Sequence, residues 1–306
     1  MRHSSALLNY ITVIISLALM FIAVSFPDFA SFAALWIVLF SILIIGIPHG
    51  AIDHIMAAEL YNLNQTLKDH LLFYSSYLLI MLVIAALWYF IPIAGMILFL
   101  AISIYHFGQA DMEDFLENSG MPYFWYLIRG TLIIGLIIFS DTDVTYPIMS
   151  AAMQIDPAAF NDFMPDQLIS ISLISVFYAL PVLFGIATRK INRGIHFIAD
   201  SLLLAAVLMI TGPLIGFALY FALWHSVGHL AEMQRYFARN QKSLSVKEFY
   251  IKAAPFTLVS IFGLLILAGI NQAFGLQEQF LSLMFILISV LTLPHMFIVD
   301  RMYSAK

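Results

Sequence analysis

FASFAALWIVLFSILIIGI, residues 29–47, runs without a charge and stops at PHGAIDH, residues 48–54, which holds two histidines and an aspartate. About 30 Å of hydrocarbon needs roughly 17 to 25 apolar residues in a helix, so the first stretch is a transmembrane helix. The second sets the question of function, because polar side chains at the end of a span are costly unless they are used.

The rest of the chain repeats the first pattern. With 62% hydrophobic and 10% charged residues among 306, and a mean hydropathy of +0.97, the composition lies far from that of a soluble globular domain. About ten spans can be marked, near residues 7–25, 29–47, 70–91, 92–108, 124–140, 168–187, 196–212, 213–230, 254–270 and 279–299. The pairs meeting at Ile91-Pro92 and Gly212-Pro213 are predicted to be tight hairpins, since proline ends a helix. The expected fold is an all-α, polytopic integral membrane bundle of about ten transmembrane helices, forming a single integral domain over 1–306. Neither an internal repeat nor a long linker divides it.

Charge placement gives the orientation. With the amino terminus inside, all 13 lysines and arginines, Arg129 among them, fall on the cytoplasmic side, and so do both termini. The loop 141–167 then lies outside, with Asp141, Asp143, Asp156, Asp162 and Asp166 and no basic residue. The basic segment 235–252 reads as a positive-inside loop, so no nucleic acid is expected as a partner. No small-x-small cleavage site follows the first span, which is taken as a membrane helix.

Cysteine is absent, which excludes disulfides, thiolate metal ligands and a cysteine nucleophile. Histidine carries the chemistry instead. His49, His106, His225, His229 and His295 lie in the cytoplasmic parts of four predicted spans, at one level of the membrane, and a metal site explains that convergence. In WHSVGH, residues 224–229, His225 and His229 are four residues apart, on one face of a helix about 5.4 Å apart along its axis. In YHFGQAD, residues 105–111, Gly108 lets another helix approach His106. Pro48 suits the first turn of a helix on which His49 and Asp53 share a face. The predicted ligands are His49, His106, His225 and His229. Asp53, Asp111, Glu232 and His295 are candidates to support them from behind, Asp53 by accepting a ring N–H from His49 or a neighbour. His3, His54, His70 and His196 are assigned no metal role. Imidazole suits zinc, copper, iron and nickel alike, so residue types leave the metal open.

GIPHGAIDH, YHFGQAD, WHSVGH and LPHMFIVDR, spread in order over about residues 46–300, resemble the signature blocks of the Brp/Blh family of membrane beta-carotene dioxygenases. The resemblance implies a ferrous ion held by His49, His106, His225 and His229. It implies cleavage of the central double bond of beta-carotene by dioxygen, giving two molecules of retinal for a rhodopsin partner, in the cell (inner) plasma membrane. A substrate dissolved in the lipid bilayer needs a tunnel between helices, for which Tyr105, Phe107, Tyr220, Phe221 and Trp224 are nearest the proposed ligands. A membrane di-iron hydroxylase or desaturase would need denser histidine clusters than the one HxxxH here. A divalent-cation transporter would place its ligands near the bilayer middle. A retinal-binding opsin requires a lysine within a span, and no predicted span contains one.

Overall fold

The computed structural model describes residues 6–63, 66–116, 121–273 and 280–305; His3 lies outside them. The helices are α1 (Ala6–Ser25), α2 (Pro27–Ser41), α3 (Ile47–Ala51), α4 (Asp53–Leu60), α5 (Leu67–Phe90), α6 (Pro92–Met112), α7 (Pro122–Phe139), α8 (Thr142–Met153), α9 (Pro157–Phe163), α10 (Gln167–Ala187), α11 (Gly194–Leu219), α12 (Val227–Arg239), α13 (Val246–Ala273) and α14 (Phe280–Ser304). Among the described residues the only extended pairing is one bridge between Leu116 and Ile191. The fold is all-α, as hydropathy predicts.

Nine of the described helical stretches are long and apolar enough to cross a membrane. Large apolar side chains point outward along them, including Phe32 and Trp36 of α2, Leu173 and Phe177 of α10, and Leu258 and Phe262 of α13. Water would penalise such surfaces and lipid does not. One stretch, Gly194–Arg239, covers two of the spans marked in the sequence. Its backbone turns out of helical geometry at Gly212, where φ is 72° and ψ is 176°, a conformation that glycine adopts without a Cβ clash. The chain reverses there, because the Trp224 indole N–H donates to an Asp200 carboxylate oxygen at 3.1 Å across 24 residues, which a continuous helix would hold about 36 Å apart. A second break falls at Ile91, where φ is −141° and ψ is 70°, and a Cβ on Gly95 just beyond it would lie 2.7 Å from the Trp88 ring. Both breaks stand where proline places them in the sequence.

The described chain packs as two compact units. The first comprises residues up to Ile42, Ser103–Tyr146 and Asn161–Ala231, and the second Leu43–Ile102, Pro147–Phe160 and the residues from Glu232 onward. In the first unit α7 packs on α10 and α11, and α1 and α2 pack on α11. In the second, α14 packs on α4, α5 and α13, and α13 also packs on α3. There the Trp88 indole of α5 donates to the Ser289 hydroxyl of α14 at 2.9 Å, giving a buried polar pair its partner.

Two segments depart from α geometry. Ile42–Gly46 is π-helical and leads into α3, with Pro48 in its first turn. Proline has no N–H to give to the carbonyl four residues back, that of Ile44, and the Tyr250 hydroxyl supplies the donor at 3.1 Å. The second π-helical segment is Tyr220–Ser226. Further differences from the sequence reading have local causes. The stretch 141–167 forms α8 and α9 rather than an open loop. Its aspartates accept backbone N–H groups at helix starts: Asp141 from Asp143 at 3.1 Å, and Asp156 from Ala158 and Ala159 at 3.0 Å each. The basic segment 235–252 is largely helical. There Ser245 and Glu248 exchange side-chain and backbone hydrogen bonds, a capping box that starts α13.

Helices α6 and α7 approach each other glycine on glycine. A Cβ on Gly108 would lie 1.8 Å from the Tyr126 carbonyl oxygen, and one on Gly130 would lie 1.7 Å from that of Ile104. Gly108→Ala is therefore expected to separate α6 from α7 at a cost of about 3 kcal/mol or more, the upper range for overpacking. Gly263→Ala of α13, where a Cβ meets nothing within 4 Å, is expected to be neutral or stabilising by about 0.5–1 kcal/mol. Thermal unfolding of the two proteins in detergent compares them directly. Equal midpoints would remove the argument for a steric role of Gly108.

Candidate functional site

In the first unit three predicted ligands come from two places in the chain. His106 lies on the last turns of α6, brought in by the Gly108–Gly130 approach. His225 lies in the π-helical segment after α11, and His229 on the first turn of α12. All three are buried. The His106 and His225 rings meet at 4.8 Å between centroids and 75°, and those of His225 and His229 lie 6.5 Å apart and nearly parallel at 8°. The shared face expected of His225 and His229 is present, although the backbone at His225 is π-helical rather than α. A π turn holds more residues than an α turn and recurs where side chains are needed for function.

Aromatic rings surround His225. Phe221 stacks on it at 5.6 Å and 10°, Phe107 lies 4.7 Å away, and Tyr220 packs on Phe107 at 5.2 Å. Three of the five aromatics proposed as tunnel lining thus flank a predicted ligand. Tyr105 packs instead beside Tyr123 and Tyr126 of α7. Trp224 is anchored through its N–H to Asp200.

The first unit also holds a buried charged cluster. Arg129, counted among the cytoplasmic basic residues, is buried within α7 with 1% of its surface exposed. Its Nε donates to Asp111 of α6 at 3.0 Å, one terminal nitrogen to Asp200 of α11 at 2.8 Å, and the other to the hydroxyls of Tyr178 and Ser201 at 3.0 and 2.8 Å. Desolvating a guanidinium costs several kcal/mol unless charge and hydrogen bonds replace water, and this arrangement supplies both. Asp111, expected behind the ligands, thus engages Arg129. Charges at positions 129 and 200, each inside a marked span, were the signal available for this cluster.

The second unit holds His49 and His295, both buried. Their rings meet edge to face, 5.0 Å apart at 89°. His49 and Asp53 do not continue one helix, because Ile52, at φ −91° and ψ 0°, separates α3 from α4. Asp53 turns to α14 instead, with its two carboxylate oxygens 2.8 and 3.0 Å from Nδ1 of His295. The Tyr77 hydroxyl donates to Asp53 Oδ2 at 2.9 Å. Glu232 pairs with Arg235, one turn along the same helix. The histidines assigned no metal role have other surroundings: His54 donates to the Ala51 carbonyl at 3.1 Å and packs on Phe256, and His70 stacks on Tyr74. An apolar groove of about 290 Å³ opens beside Pro48, lined by Leu43, Ile44, Tyr250, Ala254, Leu258 and Ile261 among others. None of the five proposed tunnel aromatics lines it.

Buried imidazoles in pairs are a nitrogen donor set fit for a divalent transition metal. Residues 40–303 match the family model described as beta-carotene 15,15'-dioxygenase. A probable beta-carotene 15,15'-dioxygenase, Blh, from Halobacterium salinarum is 27% identical over 292 residues, covering 86% of this chain and 82% of that protein. A beta-carotene 15,15'-dioxygenase from uncultured marine bacterium 66A03 is 25% identical over 276 residues, covering 88% of this chain and 94% of its own. No solved structure matches.

Proposed function

The chain belongs to the beta-carotene 15,15'-dioxygenase family, and from that premise we propose that it cleaves the central double bond of beta-carotene with dioxygen. One oxygen atom goes to each half, and the products are two molecules of retinal. The observation that carries the reading is the set of buried histidines inside apolar spans, His106 against His225 above all, in a chain matched to this family over most of its length.

His49, His106, His225 and His229 are the proposed ligands of a ferrous ion. When bound, that ion supplies the activation of dioxygen that no amino-acid side chain provides. The chain itself supplies four things. Neutral imidazoles donate nitrogen lone pairs. Burial keeps water from the reacting centre. Phe107, Tyr220 and Phe221, packed about His225, offer flat faces on which a conjugated polyene can lie. The outward apolar surface lets a lipid-dissolved substrate arrive without crossing water, and the groove beside Pro48 is an apolar recess on that surface. Selection of one double bond among many is then a matter of how far the polyene can slide before it is stopped. The proposed setting is the cell membrane, with both termini cytoplasmic and the retinal passing to a rhodopsin.

Pigment analysis of bacteria that accumulate beta-carotene tests the reaction. Expression is expected to bleach the orange cells and yield retinal as the main product. Intact carotene in cells holding well-folded, iron-loaded protein would sink the proposal. Longer apocarotenals in place of retinal would show cleavage at another bond.

A further inference from the structure

We propose that His295 is itself a metal ligand, through Nε2, and that Asp53 and Tyr77 are the positioning residues that hold it there. The inference rests on the iron-dependent reading above and adds to its ligand set.

The chain of contacts is directional. A carboxylate only accepts, so the contact of Asp53 with Nδ1 of His295 puts the ring proton on Nδ1 and the lone pair on Nε2. The same carboxylate draws electron density onto the ring and makes Nε2 a stronger donor, which is the usual arrangement behind a metal-bound histidine. Asp53 is fixed in turn, because Tyr77 donates to its Oδ2. Three elements contribute, α4, α5 and α14, and 242 residues separate Asp53 from His295. The far side of the assembly is His49, already a proposed ligand, whose ring stands perpendicular to that of His295 at 5.0 Å. At that separation both rings can direct a nitrogen to one ion over bonds of about 2.0–2.1 Å.

A purely structural role fits less well. His295 follows Pro294 in α14, and a histidine there could satisfy backbone groups freed by the proline. Its Nδ1 goes instead to a carboxylate on another helix. A buried carboxylate and imidazole inside membrane-spanning helices are costly to assemble for packing alone.

Full-length protein in detergent, stripped of metal and titrated with ferrous iron, tests this, together with the electron paramagnetic resonance spectrum of its nitric oxide adduct. His295→Ala is expected to weaken iron binding at least tenfold and to change the adduct spectrum. Asp53→Asn, which keeps the shape but not the charge, is expected to weaken binding about 10- to 100-fold. Tyr77→Phe, which removes one hydroxyl, is expected to weaken it by a few-fold. If His295→Ala folds poorly, the two conservative variants decide. Parental iron affinity and an unchanged spectrum in all well-folded variants, while His225→Ala loses iron, would overturn this inference and leave the underlying reading standing. Iron retained by His225→Ala would overturn the reading itself, and this proposal with it.

Discussion

Exchanging His225 for alanine is expected to end retinal formation in carotene-accumulating cells, a fall of more than about 100-fold, since losing mere supporting partners of a ligand already costs 10- to 100-fold. His225 stands at the meeting point of the first unit's site. It touches His106, Phe107 and Phe221 and runs parallel to His229. The substitution removes a proposed ligand, opens a cavity against two aromatic rings, and takes away the ring on which His106 packs edge to face. His70→Ala serves as the control, because His70 is exposed and stacks on Tyr74, and its retinal yield should stay near the parental level. The quantity to measure is retinal per unit of membrane-inserted protein. A yield within threefold of the parent in His225→Ala would remove this histidine from the site.

The second large effect concerns stability. Replacing Arg129 with methionine keeps the length of the side chain but takes from the buried Asp111 and Asp200 the guanidinium that pairs with both. Breaking a buried pair in this way costs about 3–5 kcal/mol, whereas replacing all of its members by neutral groups is often tolerated. Arg129→Met is therefore expected to accumulate poorly and to lower the melting midpoint in detergent sharply. The triple variant with Asp111→Asn and Asp200→Asn should recover much of the loss. Failure of the triple variant to improve on the single one would mean that Arg129 acts through packing, for example against Phe197, over which its guanidinium lies at 5.4 Å.

What could be read from the sequence was whatever is encoded locally. Hydropathy marks the spans, proline marks the helix breaks at Ile91-Pro92 and Gly212-Pro213, and Gly108 announces a close helix approach, whose partner is α7. The common face of His225 and His229 follows from their spacing. Pairings between distant positions have no such signature. Nothing in the stretch around Asp53 points to His295 or Tyr77, so its sequence leaves open whether that carboxylate meets His49 or another imidazole. The π-helical segments escaped notice because a one-residue widening of a helix is decided by packing and leaves no pattern of its own. The pairing of Arg129 is hidden for a different reason. A positive-inside tally treats every basic residue as an address label, and this one lies deep in a span where only its carboxylate partners make it tolerable.

That burial bears on how the protein is made. A lone arginine near the middle of a helix costs about 2.5–3.5 kcal/mol to insert into a bilayer, so α7 is a poor candidate to enter on its own. Its two carboxylate partners leave the ribosome at different times, Asp111 18 residues before Arg129 and Asp200 71 residues after it. The early one makes α6 and α7 a pair suited to enter together, with the arginine's charge already met by one carboxylate. The complete pairing has to wait for the hairpin that begins with α11. Synthesis order thus gives the newly made chain a checkpoint: until α11 has been delivered, the first unit holds a guanidinium still short of its Asp200 and Ser201 acceptors, and quality control has a distinct immature state to recognise.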